Sequence, residues 1–433
     1  MSSTTTKRKD KKKTDATTSS SSSSTTDTKQ TSTSSKDKNA SDHSLSSSTS
    51  STPTSITEYS LRYPIFCCAS GGKSKLLAVG GGGGASKTGI PNGVALFKWN
   101  GTKFTFLAEH TTADCITNLA MHPTADTFAY SIGNKCYVVN FNASNKTFVH
   151  FKQFESVSRF QAEVGSPNSS DSGEEEMTHS DTSSKSSAQV KNVPLEQYCC
   201  RYSPAGDLLV TSGSDRSIKV WEVPAYTLAH EINNCHTDEV TSLDVNNSNT
   251  YMVTTSKDKT CKVWNLLSGR VEQVLHYDIG GQELTFRGCR FLDGGLNLLT
   301  CMSRPKSGKV GGCTYVGKWK VASGKLEASQ QIHGKMHNTC MELSANQKTL
   351  AVGTADSNVT AIKVGTLSRV DRWEPHDFVI TGVTFSPDNE SVCSVSANYS
   401  LKSHKVTPRL IVSESTHPSS SVPHSSNSQP SSV

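Results

Sequence analysis

An all-β chain folded as a seven-bladed propeller is what the sequence predicts, and three observations predict it. Groups of short strands recur at about 40–45 residues, the period of propeller blades. Within each group, β-branched and apolar residues alternate between Gly, Asn, Asp and Pro turns, a strand pattern. Apolar residues are concentrated in 58–162 and 191–407, which leaves Ser-rich segments outside a large core.

The repeat is clearest at 201–223 and 236–269, where Trp221 and Trp264 lie 43 residues apart. Weaker units cover 116–141, the stretch ending near Trp319, the stretch ending at Val364, and 376–406. A first unit runs from Tyr63 to Trp99, and residues 58–64 are a candidate closing strand for the last blade. The expected organisation is a disordered Ser/Thr-rich tail at 1–57, a propeller at 58–407 and a disordered Ser/Pro-rich tail at 408–433. An acidic disordered insert at 163–190 interrupts the propeller, and a second insertion lies at 303–313.

Composition removes several function classes. The net charge of +6 is unevenly spread: +4 in 1–57, with KRKDKKK at 7–13, and −5 in 163–190. No concentrated basic stripe appears in the propeller, so direct nucleic-acid binding is not expected. No apolar run is long enough for a membrane helix, and no apolar segment follows the basic cluster as in a signal peptide. Thirteen cysteines show neither CxxC pairs nor zinc-ligand spacing. Adjacent pairs such as Cys67-Cys68 and Cys199-Cys200 point to opposite strand faces, which suits buried, reduced thiols.

His236, Asp258 and Trp264, with Thr254 or Ser256 between them, have the residue types of a catalytic triad. They resemble more closely the hydrogen-bonded His, Ser/Thr, Asp and Trp set inside a WD-repeat blade. Such a set satisfies buried polar groups locally and performs no chemistry. Asp215 and Trp221 occupy the matching places one blade earlier.

One segment is unexplained by propeller architecture. GGGGGASKTGIPNGV, 80–94, separates the strands at 76–79 and 94–99 with a fourteen-residue loop, where a hairpin needs about two to five residues. GGGGASKT at 81–88 nearly fits a phosphate-binding loop. Ser86 stands where its second Gly belongs, however, and a strand follows where a helix N-terminus must receive the phosphate. The dinucleotide fingerprint fails on the same missing helix. Successive glycines do allow backbone carbonyls to converge on a cation. Such a knot would present Ile90, Pro91 and Asn92 as a stiff exposed tip, with Pro91 restricting Ile90 to extended angles.

The pattern of strand, glycine run, polar residues, G-I-x-N and next strand resembles the Sec-twelve family, also called prolactin regulatory element-binding proteins. Gly80 to Gly84, Gly89, Ile90 and Asn92 stand in the family's places, and 376–398 resembles its final repeat. The resemblance implies a guanine-nucleotide exchange factor that releases GDP from a Sar-type small GTPase, starting COPII coat assembly on the cytosolic face of the endoplasmic reticulum. It implies Asn92 as the principal exchange residue, Ile90 beside it as the hydrophobic contact, and Gly89 and Pro91 completing the tip. It also implies potassium held by backbone oxygens, for which Gly82, Gly83, Gly84, Ser86 and Thr88 are candidates. The expected partners are that GTPase and the reticulum membrane or its proteins, with no bond chemistry performed by this chain.

The family's single membrane helix after the last blade has no counterpart here. Leu410-Ile411-Val412 is the only apolar run at that place. Either the C-terminus is incomplete or the protein is recruited by other means. Two other readings remain: a non-catalytic scaffold aiding cargo exit from the reticulum, and a nuclear transcription regulator drawing on the basic cluster.

Overall fold

The computed structural model describes residues 57–86, 88–158, 194–308 and 310–407. The segment up to residue 56, the insert at 163–190 and the segment from 408 lie outside the described residues, as do the readings made of them.

Seven four-stranded antiparallel sheets form the ring. Blades 1 to 6 comprise residues 65–111, 119–155, 197–232, 240–275, 285–333 and 338–373. Blade 7 takes its three inner strands from 380–405 and its outer strand from Thr57–Ser60, with Thr57 opposite Ser403 and Ser60 opposite Ser400. The closing strand thus ties the start of the propeller to its end and leaves the ring no open seam.

Burial follows position within a blade. Second strands such as Leu76–Gly82 and Ser391–Ser396 are buried along their whole length, because both faces meet a neighbouring blade. Outer strands such as Thr147–Glu155 alternate with exposed residues. The core lies between blades. Leu77, Phe97 and Trp99 of blade 1 meet Cys393, Val395 and Leu401 of blade 7, while Val253 and Leu275 of blade 4 meet Phe286 and Trp319 of blade 5. Cys67 packs toward blade 2 and Cys68 toward blade 7, as their adjacency on a strand requires.

Across the central channel, Arg201 of blade 3 makes a bidentate pair with Glu342 of blade 6 at 2.9 and 3.0 Å. Arg201 also meets Asp244 of blade 4 at 2.7 Å, and Arg290 of blade 5 meets Glu342 at 2.8 Å. Burial opposes the charge on Glu342, but the two guanidinium groups outweigh it and hold the carboxyl well below the usual range. Four blades are joined by these side chains.

Because neighbouring strands are antiparallel, first–second and third–fourth turns open on one face of the ring. Second–third turns and the connections between blades open on the other. The glycine segment joins the second and third strands of blade 1 and lies on the latter face. A small extra hairpin, Asp278–Ile279 with Gln282–Glu283, stands on that face between blades 4 and 5.

Candidate functional site: the glycine hairpin of blade 1

His236, Asp258 and Trp264, with Thr254, form the internal bracing of blade 4, as the WD-repeat reading expects. His236 Nε2 lies 2.8 Å from Thr254 Oγ1 and Nδ1 lies 2.8 Å from Asp258 Oδ2. Trp264 Nε1 donates to the same Thr254 oxygen at 2.8 Å. His236 is 2% exposed, so the set brackets the turn and offers no substrate access. In blade 3, Trp221 donates to Thr211 at 2.9 Å, but among the described residues no histidine reaches Asp215. Lys219 Nζ does so instead, at 2.8 Å, buried against Ser156 O and Ser217 Oγ. Spacing alone gave no sign of this lysine.

The glycine segment departs from its sequence reading in two ways. First, the loop is shorter. The second strand continues through Gly82 and the third begins at Asn92, leaving 83–91 as the connection in place of 80–93. Gly80, Gly81 and Gly82 pair with Val94, Gly93 and Asn92. These glycines are strand because their environment excludes a side chain: a Cβ on Gly81 would sit 1.9 Å from the Pro64 carbonyl oxygen.

Second, Asn92 is not an exposed tip. Its backbone belongs to the ladder, and its carboxamide clamps the hairpin from inside. Oδ1 accepts from Gly84 N at 2.9 Å, while Nδ2 donates to Gly84 O at 3.2 Å. Gly82 has φ 150°, and a Cβ there would meet Asn92 Oδ1 at 2.0 Å. A carboxamide supplies one donor and one acceptor in a plane, as this two-way bracket needs. Ile90 is likewise half-buried, folded over Gly83, with its N–H donating to Thr88 Oγ1 at 3.3 Å. The exposed residues are Ala85, Ser86, Thr88 and Gly89, beside half-buried Ile90 and Pro91.

Residues that the sequence did not single out complete the pedestal. Pro64 O accepts from Gly82 N at 3.0 Å, and Asn92 O accepts from Thr112 N at 3.0 Å. Tyr63 is fully buried beneath the hairpin, where burial and nearby Glu109 raise its phenol above the ordinary value. Asp114 Oδ1 lies 3.9 Å from where a Gly84 Cβ would stand, which puts a carboxylate beside the loop.

Five backbone oxygens are the candidates that the resemblance implies for a cation. Those of Gly83, Gly84 and Ser86 each accept one hydrogen bond inside the hairpin, from Ser86 Oγ, Asn92 Nδ2 and Thr88 N. A carbonyl has a second lone pair, and neutral oxygens beside one carboxylate suit a hard monovalent cation in donor chemistry. Among the described residues, no group of three His, Cys, Asp or Glu side chains is placed to hold a metal.

Comparison with known proteins adds two facts. The family described as "WD domain, G-beta repeat" matches residues 192–222 and 227–265, which are blades 3 and 4. The chain is 31% identical to U3 small nucleolar RNA-associated protein 13 of Saccharomyces cerevisiae over 98 residues, 21% of this chain and 12% of that one. It is 26% identical to guanine nucleotide-exchange factor SEC12 of Rattus norvegicus over 206 residues, 45% of this chain and 48% of the relative. It is 21% identical to the WD repeat-containing protein 91 homolog of Dictyostelium discoideum over 215 residues, 48% of this chain and 27% of that one. The chain thus spans less than half the length of each of these relatives. It is a seven-bladed propeller that carries WD repeats in blades 3 and 4.

Proposed function

We propose that this protein is a guanine-nucleotide exchange factor for a Sar-type small GTPase, acting at the endoplasmic-reticulum surface to start COPII vesicle budding. The observation that carries the reading is the glycine hairpin, clamped by Asn92 and carrying Ile90 at its rim. Similarity to the SEC12 proteins of Rattus norvegicus and Mus musculus, at 26% identity, supports the same reading.

The physical task is to bind the nucleotide-free GTPase better than the loaded one. A nanomolar GDP complex is worth roughly 12 kcal/mol, so the factor must contribute strongly to the empty state. Coupling is reciprocal: whatever the hairpin gains from the empty GTPase weakens GDP by the same factor. A stiff hairpin does this better than a floppy one, because the ordering cost is met in folding and not on binding. Asn92 therefore acts by holding the hairpin's shape, while Ile90 and the exposed residues Ala85, Ser86, Thr88 and Gly89 make the contact. Potassium held by the carbonyls of Gly82, Gly83, Gly84, Ser86 and Thr88 would stiffen the same turn.

A second reading, a non-catalytic propeller scaffold, draws on relatives such as the Saccharomyces protein, whose name contains no exchange activity. One experiment separates the two. Release of fluorescent GDP from a purified Sar-type GTPase is followed with wild type and with Asn92→Ala. Acceleration by wild type that is lost in a folded Asn92→Ala protein supports exchange, whereas no acceleration by wild type leaves the scaffold.

A further inference from the structure

The face opposite the glycine hairpin combines two features that the proposed function leaves unused. Leu267 is 92% exposed and Leu296 is 72% exposed, the highest values among the exposed large hydrophobic residues. Both sit at turn tips on adjacent blades. Leu267 lies between the third and fourth strands of blade 4, and Leu296 between the first and second strands of blade 5. Each tip is held by its own turn: Gly269 N donates to Asn265 O at 2.9 Å, and Leu296 N donates to Asp293 O at 3.3 Å.

Exposed cations surround these leucines on the same face. Arg270 follows Leu267, Lys320 and Lys325 flank the outer turn of blade 5, and Lys348, Lys363 and Arg369 come from the turns of blade 6. Among the described residues, Lys348 and Lys363 take part in no ion pair. With Arg369 they line an open cleft of about 1460 Å³ that runs along the outer strand of blade 6 to Asp371 and Glu374 and also reaches Leu292 and Asp293 next to Leu296. Asp293 is an exposed acid among these turns, and Glu327 beside them pairs with Lys320 at 3.2 Å. The hairpin face is mixed instead, with exposed Glu196, Asp238, Asp278 and Asp377 among its connections beside exposed Lys257, Lys259, Lys306 and Lys335.

We infer that this basic face docks on an anionic lipid bilayer, with Leu267 and Leu296 entering the headgroup region and the lysines and arginines lying against the phosphates. Aliphatic tips ringed by cations suit an interface that is apolar within and negative at its surface. A nucleic acid would meet the cations equally well but has no use for two protruding leucines, and the turns offer no aromatic stacking platform. The inference does not depend on the exchange reading, since it uses the other face of the ring.

The test is sedimentation of the full chain with vesicles of phosphatidylcholine alone and with about 30% phosphatidylserine added. Binding is expected to the anionic vesicles and to fall with salt. Each of Lys348→Glu and Lys363→Glu should weaken it about fivefold or more. Leu267→Ser with Leu296→Ser should lower what persists at high salt. Lys306→Glu with Lys335→Glu, on the hairpin face, should leave it unchanged. All six sites are exposed, and melting curves verify folding. Anionic-vesicle binding that ignores the Lys348, Lys363 and leucine changes would place it in the basic cluster at 7–13 and overturn the inference. So would an oligonucleotide bound through Lys348 and Lys363 by a protein that leaves vesicles in the supernatant.

Discussion

Blades 1 and 4 lay down the same strands in the same register and brace them by different means. Phe97 stands opposite Leu77 as Trp264 stands opposite Met252, each beside the same bulge between third and fourth strands. Two residues along the second strand, blade 4 has Thr254 and blade 1 has Val79. The indole–hydroxyl–imidazole–carboxylate chain of blade 4 therefore has no counterpart in blade 1, whose core there is purely apolar. Blade 4 spends its polar groups on fixing a short turn. Blade 1 leaves its turn free of that set and fixes a longer one with a single carboxamide, Asn92. The repeat is regular where it serves the ring and departs from the rule where a loop of another shape is built.

The difference is broken most severely on the blade 4 side. Trp264→Ala should cost about 3–5 kcal/mol, through lost burial and a cavity beside Val240 and Leu243, and should lower the melting temperature by many degrees. Thr254→Val keeps the volume but leaves the Trp264 N–H and the His236 ring without their shared oxygen, at a cost of about 1–3 kcal/mol. Calorimetry on both variants ranks the two effects. A neutral Thr254→Val would mean that the hydrogen-bond chain contributes nothing beyond packing.

Acid sharpens the comparison from the side of blade 7, where the bracing set is two histidines around one serine. His376 Nε2 and His404 Nε2 approach Ser394 Oγ at 2.9 and 3.2 Å, and His376 Nδ1 meets Ser400 at 2.6 Å. Burial, then Lys402, lowers His376 to about 4, although Glu58 of the closing strand favours its charge. Burial, then His376 and Lys402, lowers His404 to about 3. An unfolded chain takes up these protons near pH 6.5, while the folded blade refuses them until pH 4 or below. The unfolded state thus binds more protons in that window, and stability must fall as pH drops from about 6.5 toward 4. Melting temperature against pH should lose part of that slope in His404→Phe. An unchanged slope would place the acid sensitivity elsewhere, with His122, His333 and His337, which burial also lowers, the next candidates.

The propeller was legible because its repeat is chemical as well as hydrophobic. Trp221 and Trp264 at a fixed spacing, with Asp215 and Asp258 in the preceding turns, mark two blades outright, and turn residues between apolar runs mark the others. The candidate closing strand at 58–64 overlaps the strand that closes blade 7, Thr57–Ser60. What the sequence hid depends on contacts between distant segments. Five glycines in a row read as loop, whereas the first three are strand because Pro64 and Asn92 leave no room for side chains. Asn92 read as a projecting tip because nothing in GIPNG reveals that its carboxamide turns back to Gly84. The network of Arg201, Asp244, Arg290 and Glu342 spreads over four blades, and no local pattern announces it.

On the blade 1 side, the expected effects fall mainly on exchange, with a cost in stability below that of Trp264→Ala. Gly82→Ala forces a Cβ against Asn92 Oδ1 in a backbone conformation that side chains rarely adopt, so it should undo the clamp without touching a polar group. The strain should cost about 1–3 kcal/mol, less than Trp264→Ala. If Asn92 acts by shaping the hairpin, Gly82→Ala should lose GDP release as Asn92→Ala does. If Asn92 contacts the GTPase directly, Gly82→Ala should keep much of that activity.

Ile90→Ala carries the smallest expected change in stability and the most direct information on the contact. Ile90 is half-buried, lies over Gly83 and belongs to none of the buried clusters between blades, so its truncation should cost about 0.5 kcal/mol or less. The Asn92 clamp would remain in place, because its partners are the backbone groups of Gly84. A folded Ile90→Ala protein that still melts like wild type but needs a higher concentration to half-saturate GDP release would assign Ile90 to binding. A lower maximal rate at saturating protein would instead put Ile90 in the step that expels nucleotide. Titrating the factor against a fixed amount of loaded GTPase reads the two apart, since equal stabilisation of loaded and empty states changes affinity alone.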